Sequence, residues 1–178
     1  MNSWTSGPVT LRLCDEDDWP LLYASLQDVQ GRYWLQTTVE PLRSQAGAET
    51  DWAGFLAGQP DGRIDLTICV EEQAVGIISL AVQDEISGTF TIPLFLLPEH
   101  RGRGYARRAL TLLLDYAFNE RRLHKWQASV LADNAPSIAL HASFGCVEEG
   151  RFRAQIFHGG TWHDELWYGL TEDEWRGR

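Results

Sequence analysis

"PEHRGRGYARRAL", residues 98–110, sets four arginines, Arg101, Arg103, Arg107 and Arg108, around two glycines where a helix begins. Cations are disfavoured at a helix N-terminus, because the macrodipole is positive there. The free backbone N–H groups of a helix start instead form an anion site. Gly102 and Gly104 remove side chains that would block a ligand, and they allow the dihedrals of a tight turn. Arginine adds charge-assisted hydrogen bonds to phosphate oxygens. The stretch reads as a phosphate-binding loop suited to a diphosphate, or as a glycine-rich turn with solvated arginines. The loop runs into a helix. Ala106, Ala109, Leu110, Leu113, Leu114 and Ala117 fall on one apolar stripe, with Arg107, Arg108, Thr111 and Asp115 opposite.

Outward from the loop, the chain alternates sheet and helix signals. Thr89–Leu97 leads into it as a strand, with Pro93 implying an edge or a bulge, since proline cannot donate to a ladder. Ile64–Glu71 and Val75–Gln83, joined by short polar turns, precede it as antiparallel neighbours. Val9–Leu13 alternates as a strand; Asp15–Asp18 caps a helix over Trp19–Leu26. Gly31–Ala48 reads as loop and short helix, and Glu49–Leu56 as a helix closed by Gly58 and Pro60. Downstream lie a buried strand, Trp126–Leu131, a helix, Pro136–Phe144, and a hairpin of Val147–Phe157 with Trp162–Leu170. The crossover rule makes the strands flanking the long helix parallel.

The chain has 178 residues, enough for one domain, and its apolar fraction of 44% supplies one core. No apolar run is long enough for a membrane span, and Met1–Thr10 lacks the pattern of a signal peptide. Cys14, Cys69 and Cys146 are odd in number and scattered, which argues against a disulfide framework or a metal site and for a reducing, cytoplasmic compartment. A net charge of −10 disfavours nucleic-acid binding; it suits a cationic substrate, or serves solubility alone.

Two phosphate motifs fail. No GxxxxGK[ST] occurs, and the third glycine of a Rossmann fingerprint falls at Arg107. The loop resembles the acetyl-CoA loop of the GNAT acyltransferases, whose R/Q-x-x-G-x-G/A pattern is met by Arg101, Gly104 and Ala106. "NAPSIALHASFGCVEEGRFR", residues 134–153, is similar to that family's N-x-x-S-x-x-L-Y-x-x-x-G-F segment. "VTLRLCDEDDW" and "GGTWHDELWYGLT" resemble the opening and closing of its RimJ/RimL-like branch, which acetylates protein N-termini and other amines.

The resemblance implies a single α/β (α+β) GNAT domain over 1–178, with 1–8 as a flexible arm. It implies a mixed, mostly antiparallel sheet of about seven strands with a splayed parallel pair, flanked by about four helices. It further implies an acetyl-CoA-dependent N-acetyltransferase acting on an amine, a small molecule or a protein N-terminus, as a monomer or homodimer. Phe95, Leu96 and Leu97 would pair with pantetheine. Arg101, Gly102, Arg103, Gly104, Tyr105, Ala106 and Arg107 would wrap the diphosphate. Asn134 would meet the pantetheine arm, cap the next helix, or both. His141 stands where relatives carry a tyrosine general acid, to deliver a proton to sulfur or lie on the helix surface, and Ser137 is the serine that some relatives use in catalysis, or a first-turn hydrogen-bonding residue. Ser129 replaces a glutamate base, and Asp164 remains a candidate base or a hairpin stabiliser. Tyr33, Trp34 and Trp162 would wall the acceptor pocket or pack as aromatic core. A non-catalytic acyl-CoA-binding module is the alternative.

Overall fold

The computed structural model describes residues 4–35, 42–58 and 62–178. In chain order the elements are β1 (Thr5–Ser6), β2 (Val9–Leu13), α1 (Trp19–Gln27), α2 (Val29–Trp34), α3 (Gln45–Ala57), β3 (Arg63–Val70), β4 (Gln73–Asp84), β5 (Thr89–Thr91), β6 (Leu94–Leu96), α4 (Tyr105–Asp115), β7 (Lys125–Leu131), α5 (Ala135–Ser143), β8 (Val147–His158), β9 (Thr161–Thr171) and α6 (Glu172–Arg176). The strands form one sheet in the order β1-β2-β3-β4-β5-β7-β9-β8, with β6 paired to β4 alone.

Nine strands stand where about seven were expected. One extra is β1, which pairs with β2 through Thr5↔Thr10 and Ser6↔Val9. The arm expected at 1–8 is thus tied into the sheet from Thr5 on, and residues 1–3 lie outside the described residues. The other comes from Pro93, which divides Thr89–Leu97 into β5 and β6. The additional helices are short. Asp28 starts α2 by accepting from the Gly31 N–H at 3.0 Å. Thr171 and Glu174 form a capping box that starts α6. Helix α3 begins at Gln45, four residues before Glu49, because Ser44 caps it by accepting from the Gly47 N–H. Its end is set at Gly58, whose N–H bonds the Gly54 carbonyl; Pro60, the other expected stop, lies outside the described residues.

The expected stripe of α4 is the centre of the core. Ala109, Leu110, Leu113, Leu114 and Ala117 are buried against Val9, Leu66, Ile68, Ile78 and Phe90 of the sheet. After Asp115 the helix widens into a π-helical turn over Tyr116–Glu120, which buries Ala117 and Phe118. Alternate residues of β3 take the opposite face. There Asp65 is bound by Arg63 and Ser79, and Thr67 donates to Asp18 at 2.6 Å, just before α1.

The parallel pair is short. Strand β5 meets β7 only at Thr89↔Lys125 and Phe90↔Trp126. Beyond Phe90 the chain stays on β4: the Pro93 carbonyl accepts the Ser79 N–H at 3.0 Å, and Leu94–Leu96 pair with Gly76–Ile78. Gly76 permits this approach, since a Cβ there would collide with the Phe95 carbonyl oxygen. The result is a V-shaped gap between β6 and β7.

Ile68 is fully buried between the sheet and α4. Ile68→Ala should destabilise the fold by about 2–5 kcal/mol, read from urea unfolding at unchanged m-value.

Candidate active site

The gap between β6 and β7 opens into a cleft of about 820 Å³. Its wall on one side comes from α2, through Gly31, Trp34 and Leu35, and on the other from α4 and α5. Most residues singled out from sequence converge on it. Phe95, Leu96, Arg101, Gly102, Gly104 and Tyr105 line it, as do Ala106, Arg107, Asn134, Ser137, His141 and Trp34. Leu97 and Arg103 flank the loop without lining the cleft.

At the mouth, Gly104 is the N-cap of α4 in the left-handed region, φ 79°, and no side chain caps the helix. A Cβ on Gly102 or Gly104 would meet nothing within 4 Å, so open space lies over both. The first-turn amides of α4 therefore have no side-chain cap and open onto free space, as an anion site requires.

The arginines are placed differently from the sequence reading. Arg101 pairs with Asp28, donates Nε to the Leu96 carbonyl at 2.9 Å, and covers the Phe95 ring. Arg107 binds Ser143 at 2.5 Å and stacks over Phe144. Arg108 lies along the β1–β2 turn at Gly7. Neither Arg103 nor Arg108 makes a side-chain ion pair or hydrogen bond among the described residues, and of the two only Arg108 lies against that turn. The anion site is therefore chiefly main-chain. Sequence reading missed Asp28 because its partner is 73 residues away.

Deeper in, Asn134 caps α5: its Oδ1 accepts the Ser137 N–H at 3.2 Å. His141 is buried, its ring stacked on Trp126 at 5.0 Å and on Tyr168 at 5.6 Å. Its Nδ1 lies 2.8 Å from the Ser137 carbonyl oxygen. A carbonyl only accepts, so Nδ1 carries the hydrogen and Nε2 the lone pair. Burial pushes the His141 pKa below its ordinary value, against a smaller opposing effect of that hydrogen bond. In this tautomer Nε2 is the ring's accepting atom. Beside it, the Trp126 indole N–H is buried in the cleft lining with no hydrogen-bond partner among the described residues. An orphaned buried donor is costly and calls for a ligand acceptor. No carboxylate lines the cleft among the described residues.

Three expected residues lie elsewhere. Asp164 pairs with Arg151 at 3.1 Å and accepts the Ala154 N–H at 2.9 Å, holding the β8–β9 bulge together. Trp162 is exposed at the hairpin tip, against Phe157. Tyr33 is buried behind Trp34, with its ring stacked on His158 at 4.0 Å. Residues 36–41, within the segment expected to meet the acceptor, lie outside the described residues.

Known proteins are similar to this chain in sequence or in fold. The SPbeta prophage-derived uncharacterized N-acetyltransferase YokL of Bacillus subtilis is 29% identical over 177 residues, 96% of this chain and 94% of that protein. The putative ribosomal N-acetyltransferase YdaF of the same organism is 28% identical, over 95% of this chain and 94% of that protein. The crystal structure of spermidine N-acetyltransferase from Vibrio cholerae in complex with CoA and spermine has the same fold, with TM-score 0.84 and 21% identity over 96% of this chain and 99% of that one. The Acetyltransferase (GNAT) domain family matches residues 9–147, and with that match, the splayed strands and the uncapped α4 loop, the chain belongs to the GNAT acetyltransferases.

Proposed function

We propose that this protein is an acetyl-CoA-dependent N-acetyltransferase of the RimJ/RimL-like kind, which transfers an acetyl group to a primary amine. The observation that carries the reading is the cleft itself, a slot between unpaired strand edges that ends at the uncapped start of α4. The amides of Gly102–Arg107 would hold the diphosphate, with Arg103 as the nearest uncommitted cation. The unpaired backbone of β6 would bond the pantetheine arm as a strand partner does. The Asn134 amide and the Trp126 indole N–H would donate to its carbonyl oxygens. Bound acetyl-CoA supplies a thioester carbonyl that an amine attacks, leaving a thiol.

The chain's own task is to position the amine and to move one proton. His141 is the group in the cleft suited to that. Its Nε2 takes the proton from the attacking amine, directly or through a water, and the imidazolium returns it to the sulfur. Ser137 fixes the tautomer through its carbonyl, so it serves by orienting His141.

The acceptor is a small cationic amine or a protein N-terminus. Spermidine and ribosomal acetyltransferases among the relatives support an amine of either kind. The net charge of −10 favours a cation. The absence of a described carboxylate from the cleft keeps a second reading, a non-catalytic acyl-CoA-binding module. Thiol release from acetyl-CoA across a panel of polyamines, amino acids and N-terminal peptides separates them. Turnover with any amine establishes the enzyme; tight CoA binding without turnover establishes the module.

Gly104→Glu should reduce CoA affinity by more than about a hundredfold in calorimetry. A carboxylate would then occupy the phosphate cradle, at a folding cost of about 1–2 kcal/mol for the left-handed φ. His141→Gln should lower kcat about 10²- to 10⁴-fold with little change in the acetyl-CoA KM. Because burial holds the folded-state pKa of His141 below 6.5, the unfolded chain takes up that proton first as pH falls. Stability should therefore decline as pH drops below 6.5, and His141→Gln should flatten that part of the urea-midpoint profile.

A further inference from the structure

Helix α2 is six residues long, lines one wall of the cleft, and is fastened at each end. At its start, the Asp28 carboxylate caps the helix through Gly31 and pairs with Arg101. Arg101 in turn grips the Leu96 carbonyl and the Phe95 ring, so this end is tied to β6. At its far end, the Tyr33 hydroxyl donates to Asp133 Oδ2 at 2.6 Å and lies 3.0 Å from His163 Nδ1. His163 is itself 3.2 Å from the same Asp133 oxygen. Asp133 lies just beyond β7 and directly precedes Asn134, and His163 belongs to β9. This end is therefore tied to the other arm of the V. Gly31, between the fastenings, and Trp34 and Leu35, just past the second, form the cleft wall.

No ladder hydrogen bond joins β6 to β7, so the sheet itself does not fix the width of the slot there. We propose that α2 is a crossbar that fixes it, and that Tyr33 is a positioning residue acting through Asp133 on Asn134 and through its ring on Trp34. The chemistry of the fastening suits this role. Burial, reinforced by the Asp133 carboxylate, pushes the Tyr33 pKa up to about 12, so the hydroxyl stays a donor throughout the physiological range. A hydrogen bond from a neutral donor to a carboxylate is among the stronger kinds. The ring is clamped between Trp34 at 4.6 Å and His158 at 4.0 Å, so the hydroxyl is held on its target at small entropic cost. Three elements 100 and 130 residues apart in sequence meet at one oxygen. The slot's two walls are then set together. A change that releases Tyr33 is felt on the acceptor side, at Trp34, and on the cofactor side, at Asn134.

The inference rests on the slot being the acetyl-CoA site, and the experiment separates the two. Tyr33→Phe keeps both ring contacts and deletes only the hydroxyl. CoA affinity is measured by calorimetry in the wild type, in Tyr33→Phe and in Ile68→Ala, a core variant remote from the crossbar that controls for lost stability. Backbone hydrogen exchange of residues 29–35 is followed with and without CoA. Tyr33→Phe should weaken CoA about tenfold, a coupling of ordinary size between linked sites. With any amine that turns over, it should raise the amine KM and lower kcat together. CoA should slow exchange in 29–35 of the wild type and fail to do so in Tyr33→Phe, while Ile68→Ala binds CoA as the wild type does. Binding in Tyr33→Phe within twofold of the wild type, or a loss matched by Ile68→Ala, overturns the crossbar. A wild type that does not bind CoA overturns the acetyl-CoA reading instead.

Discussion

The structure turns on one missing donor. Pro93 has no N–H to offer across the sheet, and from that point the chain remains on β4 and leaves β7. Gly76 makes the closer approach to β4 possible, because a side chain there would collide with the Phe95 carbonyl. A parallel pair that begins at Thr89 and Phe90 therefore opens after two residues. Every functional feature proposed for the cleft depends on that opening. It leaves strand edges able to bond a ligand, it aims the slot at the start of α4, and it gives α2 two separate arms to bridge.

Charge is distributed around the slot by the same logic. Four arginines near a helix start would repel one another and the macrodipole if they shared one face. They do not share it. Arg101 is answered by Asp28, Arg107 by the end of α5, and Arg108 lies along the β1–β2 turn. The start of α4 is left to uncapped peptide amides, and amides held in this way cost no reorganisation when an anion arrives. Arg101 then acts as mortar between α2 and β6, a role in which its planar, multidentate guanidinium outperforms a lysine.

Acid–base chemistry is correspondingly sparse. The buried carboxylates Asp18, Asp65 and Glu165 sit outside the cleft, the first two paired with Arg12 and Arg63. His141, held between two aromatic rings with its tautomer fixed by a carbonyl, is the histidine that lines the cleft among the described residues.

Local pattern determined a great deal. The apolar stripe of α4, the alternation of β2, the N-cap at Asn134 and the glycine loop were all legible, because each depends on neighbours within a few residues. The parallel pair was legible from the crossover rule, an edge or bulge from Pro93, and the splay only from the family resemblance. The short helices α2 and α6 were not, since helices of five or six residues carry too few positions for a period to show. Nor were the partners of the long polar side chains. That Arg101 belongs to Asp28, that Tyr33 supports the cleft wall from behind, and that Asp164 braces a bulge are matters of distance across the fold. Sequence sets which donors, acceptors and apolar faces exist. Only the packed chain decides which of them meet, because the pairings join segments that no local period connects.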